Sequence, residues 1–129
     1  MGPSLARRVI LIVEDTESIA ELLREVLAEE PTYQPVIVGD AVRALEIVAS
    51  VKVDLILLDV MLPGMNGIEL CERIRANERT KHVPMLFLTA DTTAIRELDS
   101  RGIHDHLLKP FDLEELTQWI VRLLERDAE

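Results

Sequence analysis

Cysteine, long apolar runs and basic residues are scarce in this sequence, and each shortage excludes a class of protein. Its 129 residues include a single cysteine, Cys71, so no disulfide can form within the chain, and a reducing compartment suits it. The apolar run at residues 9–13 spans five residues, which is too short to cross a membrane or to form the core of a secretion signal. We therefore expect a cytoplasmic protein that does not span a membrane.

Basic residues are also scarce. Lysine and arginine together number 14 against 24 aspartates and glutamates, which gives a formal net charge of −10 at pH 7. Because this charge repels a phosphate backbone, we expect no direct binding to nucleic acid. The length fits one domain that buries a core without a metal or a disulfide, and we place this domain at residues 5–127.

What the sequence does contain is a regular alternation of strand and helix patterns. The unbroken aliphatic runs at residues 9–13 and 55–58 are typical of parallel strands that are covered on both faces. Segments with apolar residues at helical spacing follow each strand. Five strands alternating with five helices predict a single doubly wound, flavodoxin-like α/β domain, with a parallel sheet of order 2-1-3-4-5.

Two helical faces are specific predictions. In the third helix, Cys71 shares a face with Ile68 and Ile74, which indicates a small buried side chain and not a nucleophile. In the last helix, the inward face is predicted to consist of Leu113, Leu116, Ile120, Leu123 and Leu124.

Charged and hydroxyl side chains follow the predicted strands at the point where each strand ends. Glu14 and Asp15 follow the first strand, Asp59 ends the third, Thr89 lies at the end of the fourth, and Lys109 follows the fifth. The carboxyl ends of parallel strands meet at one edge, so we expect these side chains to lie together. Mg²⁺ prefers oxygen ligands of this kind and completes its shell with water and phosphate. The set indicates a site where an aspartyl phosphate forms, although Asp59 taken alone could simply begin a turn.

The chain resembles the receiver domains of response regulators in two-component signalling over nearly its whole length. The resemblance lies in four segments, VILIVED at 9–15, DVMLPGMNG at 59–67, LTA at 88–90 and KPF at 109–111. It implies that Asp59 accepts a phosphoryl group from a phosphohistidine on a sensor histidine kinase or a phosphotransfer protein. It also implies that Lys109 holds this group and that the Lys109-Pro110 bond is cis.

The resemblance further implies a metal site. Asp15 would bind Mg²⁺ directly and Glu14 largely through water, while Asp59 and the backbone carbonyl of Met61 would supply the remaining protein ligands. Mn²⁺ is an alternative ion at this site. Met61 and Asp91 occupy positions that influence the lifetime of the phosphoryl group in this family.

Switching in the family involves Thr89, whose hydroxyl moves toward the phosphoryl group and makes room for the residue at position 106 to turn inward. That position usually carries tyrosine or phenylalanine, and this chain has His106. Two interpretations stay open. The ring could pack as a neutral group and switch little, or its titration between about pH 6 and 7 could make switching pH-dependent.

A second possible role for His106 is metal binding together with His104, since the two could share a face of an extended segment. The nearby sequence offers no cysteine and no third histidine. Two ligands are too few for a metal site, so we interpret the pair as a non-metal feature.

The resemblance also implies protein partners. The fourth helix, fifth strand and fifth helix would form the face for a downstream protein target or for self-dimerisation, and the first helix would dock the kinase. Since the sequence stops just after its last predicted helix, it fits both a single-domain regulator and a module of a hybrid kinase or multidomain regulator.

Other classes fit the residues less well. Phosphatases with an aspartyl nucleophile need a second aspartate two residues later, and here that residue is Met61, so we expect no turnover enzyme beyond the domain's own phosphorylation and dephosphorylation. A flavin phosphate would meet Glu14 and Asp15 after the first strand and be repelled. A degenerate, unphosphorylated interaction domain would have no reason to keep these acids together.

Overall fold

The computed structural model describes residues 7–128, with side chains described for residues 7–126. Strands and helices alternate without exception, since each unbroken apolar run forms a strand and each segment of helical periodicity forms a helix. In chain order the elements are β1 (Arg8–Val13), α1 (Glu17–Ala28), β2 (Tyr33–Val38), α2 (Ala41–Ser50), β3 (Leu55–Asp59), α3 (Gly67–Arg75), β4 (Met85–Thr89), α4 (Thr92–Ser100), β5 (His106–Leu108) and α5 (Leu113–Ala128).

The five strands form one parallel sheet in the order β2-β1-β3-β4-β5. The register pairs Val13 with Leu58, Asp59 with Leu88 and Thr89 with Leu108, so the carboxyl ends of the central strands lie at one edge. The sheet order and the doubly wound class are confirmed.

Each central strand is buried on both faces, which explains why its sequence shows no polar alternation. One face packs against α2, α3 and α4 through a cluster that includes Leu11, Ile56 and Phe87. The other face packs against α1 and α5 through Ile10, Leu57 and their neighbours. The two apolar layers hold the sheet rigidly and thereby fix the positions of the side chains at its carboxyl edge.

The faces predicted for the third and last helices agree with the structure except at one position. Cys71 is buried together with Ile68 and Ile74, and burial raises the pKa of its thiol, as suits a structural side chain. In α5, the prediction was wrong for Leu113, which is 38% exposed, whereas the four other leucine and isoleucine positions are buried. Leu113 is the first residue of the helix. A helical side chain leans over the preceding turn, and no turn of this helix precedes Leu113.

Candidate functional site

Lys109 joins two acidic residues at the carboxyl edge of the sheet. Its Nζ donates to Oε1 of Glu14 at 2.6 Å and to Oδ2 of Asp59 at 2.8 Å. All three side chains are nearly buried, with 11% of Lys109, 2% of Glu14 and 11% of Asp59 exposed. Burial alone would lower the pKa of Lys109, but its hydrogen bonds and attraction to both carboxylates outweigh burial and raise this pKa. The edge therefore holds a charged ammonium between two acids.

The side chain of Asp59 is oriented by the backbone two residues after it. Its Oδ1 accepts a hydrogen bond from the amide of Met61 at 2.9 Å, which leaves Oδ2 for Lys109. The loop after β3 then turns back so closely that a Cβ at Gly67 would collide with the carbonyl of Asp59 and with Cα of Val60. The Gly67 amide donates to the Val60 carbonyl at 2.8 Å, and Asn66 caps α3 by accepting from the Glu69 amide at 2.9 Å. Glycine is thus required where α3 begins against the acidic strand end.

The remaining acid of the predicted set occupies a different environment. Asp15 is exposed and has no hydrogen bond or ion pair with any described residue. Of the acidic, histidine and cysteine side chains in the described part of the chain, only Asp99, His104 and His106 bring three ligand atoms within 4.8 Å of one another. The expected crowding is therefore seen for Glu14 and Asp59, which share one ammonium, whereas Asp15 does not complete a tight set of three acids.

The donor chemistry of this edge fits a hard divalent cation. The carboxylates of Glu14, Asp15 and Asp59 are oxygen ligands, and no described N–H group donates to the backbone carbonyl of Met61. Oxygen ligands with open positions for water and phosphate are what Mg²⁺ requires. The residues present are thus compatible with this ion.

Thr89 and Asp91 lie beside this edge but are engaged locally. Thr89 is fully buried, and its Oγ1 accepts from the Asp91 amide at 3.2 Å. Asp91 is the N-cap of α4, and its Oδ1 accepts from the Thr93 amide at 2.8 Å. The capping role of Asp91 was missed in the sequence, although an aspartate before a helical segment is its usual signal.

His106 lies at the amino end of β5 and not at the acidic edge. Its side chain is 19% exposed, and its Nε2 lies 2.7 Å from Oδ1 of Asp99. Hydrogen bonds from His106 and then from His104 lower the pKa of the Asp99 carboxyl. Asp99 is the partner that sequence reasoning missed, because it comes from the end of α4, seven residues before His106.

The Lys109-Pro110 bond is cis, as the resemblance implied. A parallel sheet of order 2-1-3-4-5 with an acid pair, a buried threonine and a lysine at its carboxyl edge defines the receiver class of α/β domain. The sequence model of the response regulator receiver domain matches residues 10–121, and the chain belongs to that family.

Relatives and solved structures agree with this assignment. The chain is 40% identical over 124 residues to the DNA-binding response regulator MtrA of Mycobacterium tuberculosis H37Rv, which covers 94% of the chain and 52% of MtrA. It is 40% identical over 123 residues to the response regulator ArlR of Staphylococcus saprophyticus, covering 93% of the chain and 54% of ArlR. The chain thus spans about half the length of these relatives.

A structural neighbour contains a metal. The receiver domain of the sensor histidine kinase PA1611 of Pseudomonas aeruginosa has a magnesium ion coordinated in its active-site cleft. It superposes with a TM-score of 0.84 at 31% identity, covering 93% of this chain and 99% of that one.

Across the described residues of our chain, no helix has the length and apolar character needed to cross a membrane.

Proposed function

We propose that this receiver domain accepts a phosphoryl group on Asp59 from the phosphohistidine of a sensor histidine kinase or a phosphotransfer protein. The observation that supports this most strongly is the position of Lys109, whose ammonium lies within hydrogen-bond distance of Asp59 and Glu14. An oxygen of Asp59 forms the new P–O bond while the P–N bond of the donor breaks. The electron pair of that bond returns to the donor imidazole, which takes up a proton.

The contacts around Asp59 support roles for the neighbouring groups. The Met61 amide fixes the carboxylate of Asp59 by binding Oδ1, and the Lys109 ammonium is placed to pair with phosphoryl oxygens. Glu14, Asp15, Asp59 and the Met61 carbonyl would hold Mg²⁺, or Mn²⁺ in its place. When bound, this ion would neutralise the charge that opposes an incoming phosphoryl group.

We propose that the phosphorylated domain signals through α4, β5 and α5. Thr89 would move toward the phosphoryl group, and His106 would respond at β5 in place of the usual aromatic residue. Met61 and Asp91 would tune the lifetime of the phosphoryl group. The face would then contact a downstream protein or a second copy of the chain.

The charge and the residues of the chain also argue against two activities, independent turnover and nucleic-acid binding. Since Met61 stands where an aspartyl phosphatase needs its acid, we propose no independent turnover activity. With a net charge of −10, we propose that this domain does not itself bind nucleic acid, whatever the remaining half of a DNA-binding relative does. The cytoplasmic location and the 5–127 domain limits stay predictions.

The test is to incubate the protein with a small phosphodonor, with and without Mg²⁺, and to count added PO₃ units by intact mass. We expect one unit, dependent on Mg²⁺ and absent from Asp59→Asn. Asp40→Asn is the matched control, because Asp40 caps α2 and makes no described contact with Glu14, Asp59 or Lys109, which we call the acidic cluster. Undiminished labelling of Asp59→Asn would refute the assignment of Asp59 as the acceptor. Labelling that does not depend on Mg²⁺ would refute the proposed role of the metal ion.

A further inference from the structure

Three side chains that can bind metals converge where α4 meets β5, and we call Asp99, His104 and His106 the histidine–aspartate triad. The Nδ1 atom of His104 lies 2.9 Å from Oδ1 of Asp99, and Nε2 of His106 lies 2.7 Å from the same oxygen. His106 begins β5 whereas Lys109 follows its end, so the triad and the acidic cluster lie at opposite ends of this strand.

The backbone between these residues holds them in place. At the end of α4 the Gly102 amide donates to the Asp99 carbonyl at 3.0 Å, and the Ile103 amide donates to the Leu98 carbonyl at 2.9 Å. This pair of bonds, with Gly102 at a φ of +78°, is the glycine-dependent reversal that often ends a helix. Ile103 packs on the same apolar cluster that contains Leu98. The turn therefore carries the chain back past Asp99 before β5 begins.

We propose that the histidine–aspartate triad binds a divalent transition metal ion, with Zn²⁺ as the reference ion. Two imidazole nitrogens and a carboxylate oxygen are a common ligand set for Zn²⁺, and three protein ligands leave the fourth position to water. Ligands at about 2.0–2.1 Å from a tetrahedral ion lie about 3.3 Å apart. Each ring nitrogen must therefore move about half an ångström away from the Asp99 oxygen, and the two ring nitrogens, which lie within 4.8 Å of each other, must settle at that same spacing.

The surroundings permit that small movement. The His104 side chain is 70% exposed and the Asp99 side chain is 45% exposed, so both can adjust and an ion can reach them from solvent. Each ring would bind the ion through the nitrogen that now donates to Asp99, so that nitrogen must give up its proton and the remaining ring proton must lie on the nitrogen that faces away from the ion. The triad differs from the acidic cluster in containing imidazole nitrogen, which Mg²⁺ does not favour, so the two sites select different ions.

The test is a Zn²⁺ titration of the full chain in a buffer that contains excess Mg²⁺ and no other divalent ion, monitored by calorimetry and by imidazole ¹H–¹⁵N spectra. We expect one saturable site, with ring-nitrogen shifts at His104 and His106. His104→Gln and His106→Gln should each weaken this binding by at least about tenfold. His82→Gln is the matched control, because His82 is the one other histidine of the sequence, is exposed and lies outside the triad.

Circular dichroism of each variant checks that the fold is retained, and the exposed position of His104 makes that variant the safest to interpret. The absence of saturable binding would overturn the proposal. So would unchanged affinity in both triad variants, or ring shifts confined to His82. None of these outcomes bears on phosphorylation of Asp59, so the two proposals stand or fail separately.

Discussion

Replacing Gly67 by alanine tests how tightly the start of α3 packs against Asp59. The added Cβ would collide with the Asp59 carbonyl oxygen and approach its carbonyl carbon and Cα of Val60 to 3.0 Å. All three are backbone atoms, so no flexible side chain can rotate away. The strand end or the helix start must move instead.

The net effect is a balance of two terms. Alanine is favoured over glycine in a helix by up to about 1 kcal/mol. Forcing an extra methyl group into a closely packed site costs about 1–3 kcal/mol, and a backbone collision lies at the upper end of that range. We expect Gly67→Ala to lower the free energy of unfolding by about 1–2 kcal/mol and to slow phosphorylation, because Asp59 is displaced from Lys109.

Gly39→Ala is the matched control, since a Cβ at Gly39 meets nothing within 4 Å and its φ is not left-handed. This variant should be as stable as the parent or more stable by about 0.4–1 kcal/mol. Urea unfolding followed by circular dichroism gives both free energies, and a small phosphodonor gives both labelling rates. A Gly67→Ala protein that matches Gly39→Ala in stability and rate would refute the packing argument.

Three further predictions concern single side chains. Lys109→Met should lower the free energy of unfolding by about 1–3 kcal/mol in metal-free buffer, because two buried carboxylates lose their shared donor. Urea unfolding measures this free energy, and an unchanged midpoint would contradict the prediction. Cys71 should react with Ellman's reagent about an order of magnitude or more slowly in the folded chain than in urea, since burial raises its pKa; equal rates would show that the thiol is accessible. Asp91→Ala and Asp40→Ala should each lower the free energy of unfolding by about 0.5–2 kcal/mol, because each variant loses a helix cap. Only Asp91→Ala should change the lifetime of the phosphoryl group, and identical lifetimes would limit Asp91 to capping.

The fold and the acidic edge could be predicted because they depend on local patterns. Unbroken aliphatic runs identify buried parallel strands, and the residue that ends each run must lie at the carboxyl edge whatever the rest of the chain does. The positions of Asp59, Thr89 and Lys109 at this edge were predicted in this way. The cis bond before Pro110 came from family resemblance and not from periodicity.

What could not be predicted depends on register and on turn geometry. The sequence placed acids near a lysine, but only the aligned strand ends show that one ammonium bridges Glu14 and Asp59. Asp99 joins His104 and His106 only because Gly102 adopts a positive φ and returns the chain. The collision at Gly67 is likewise invisible in sequence, where the Asn-Gly pair indicates no more than a turn.

The sharing of Lys109 between strands makes Glu14 sensitive to events on another strand. A single ammonium carries one positive charge, so it offsets only part of the negative charge of the two acids it contacts. Any added negative charge on β3 would attract that ammonium more strongly and weaken its hold on β1. Glu14, which is 45 residues from Asp59 in the chain, would then lose part of its contact with Lys109 and rearrange, so an isotope label on its carboxyl carbon would report the chemical state of Asp59.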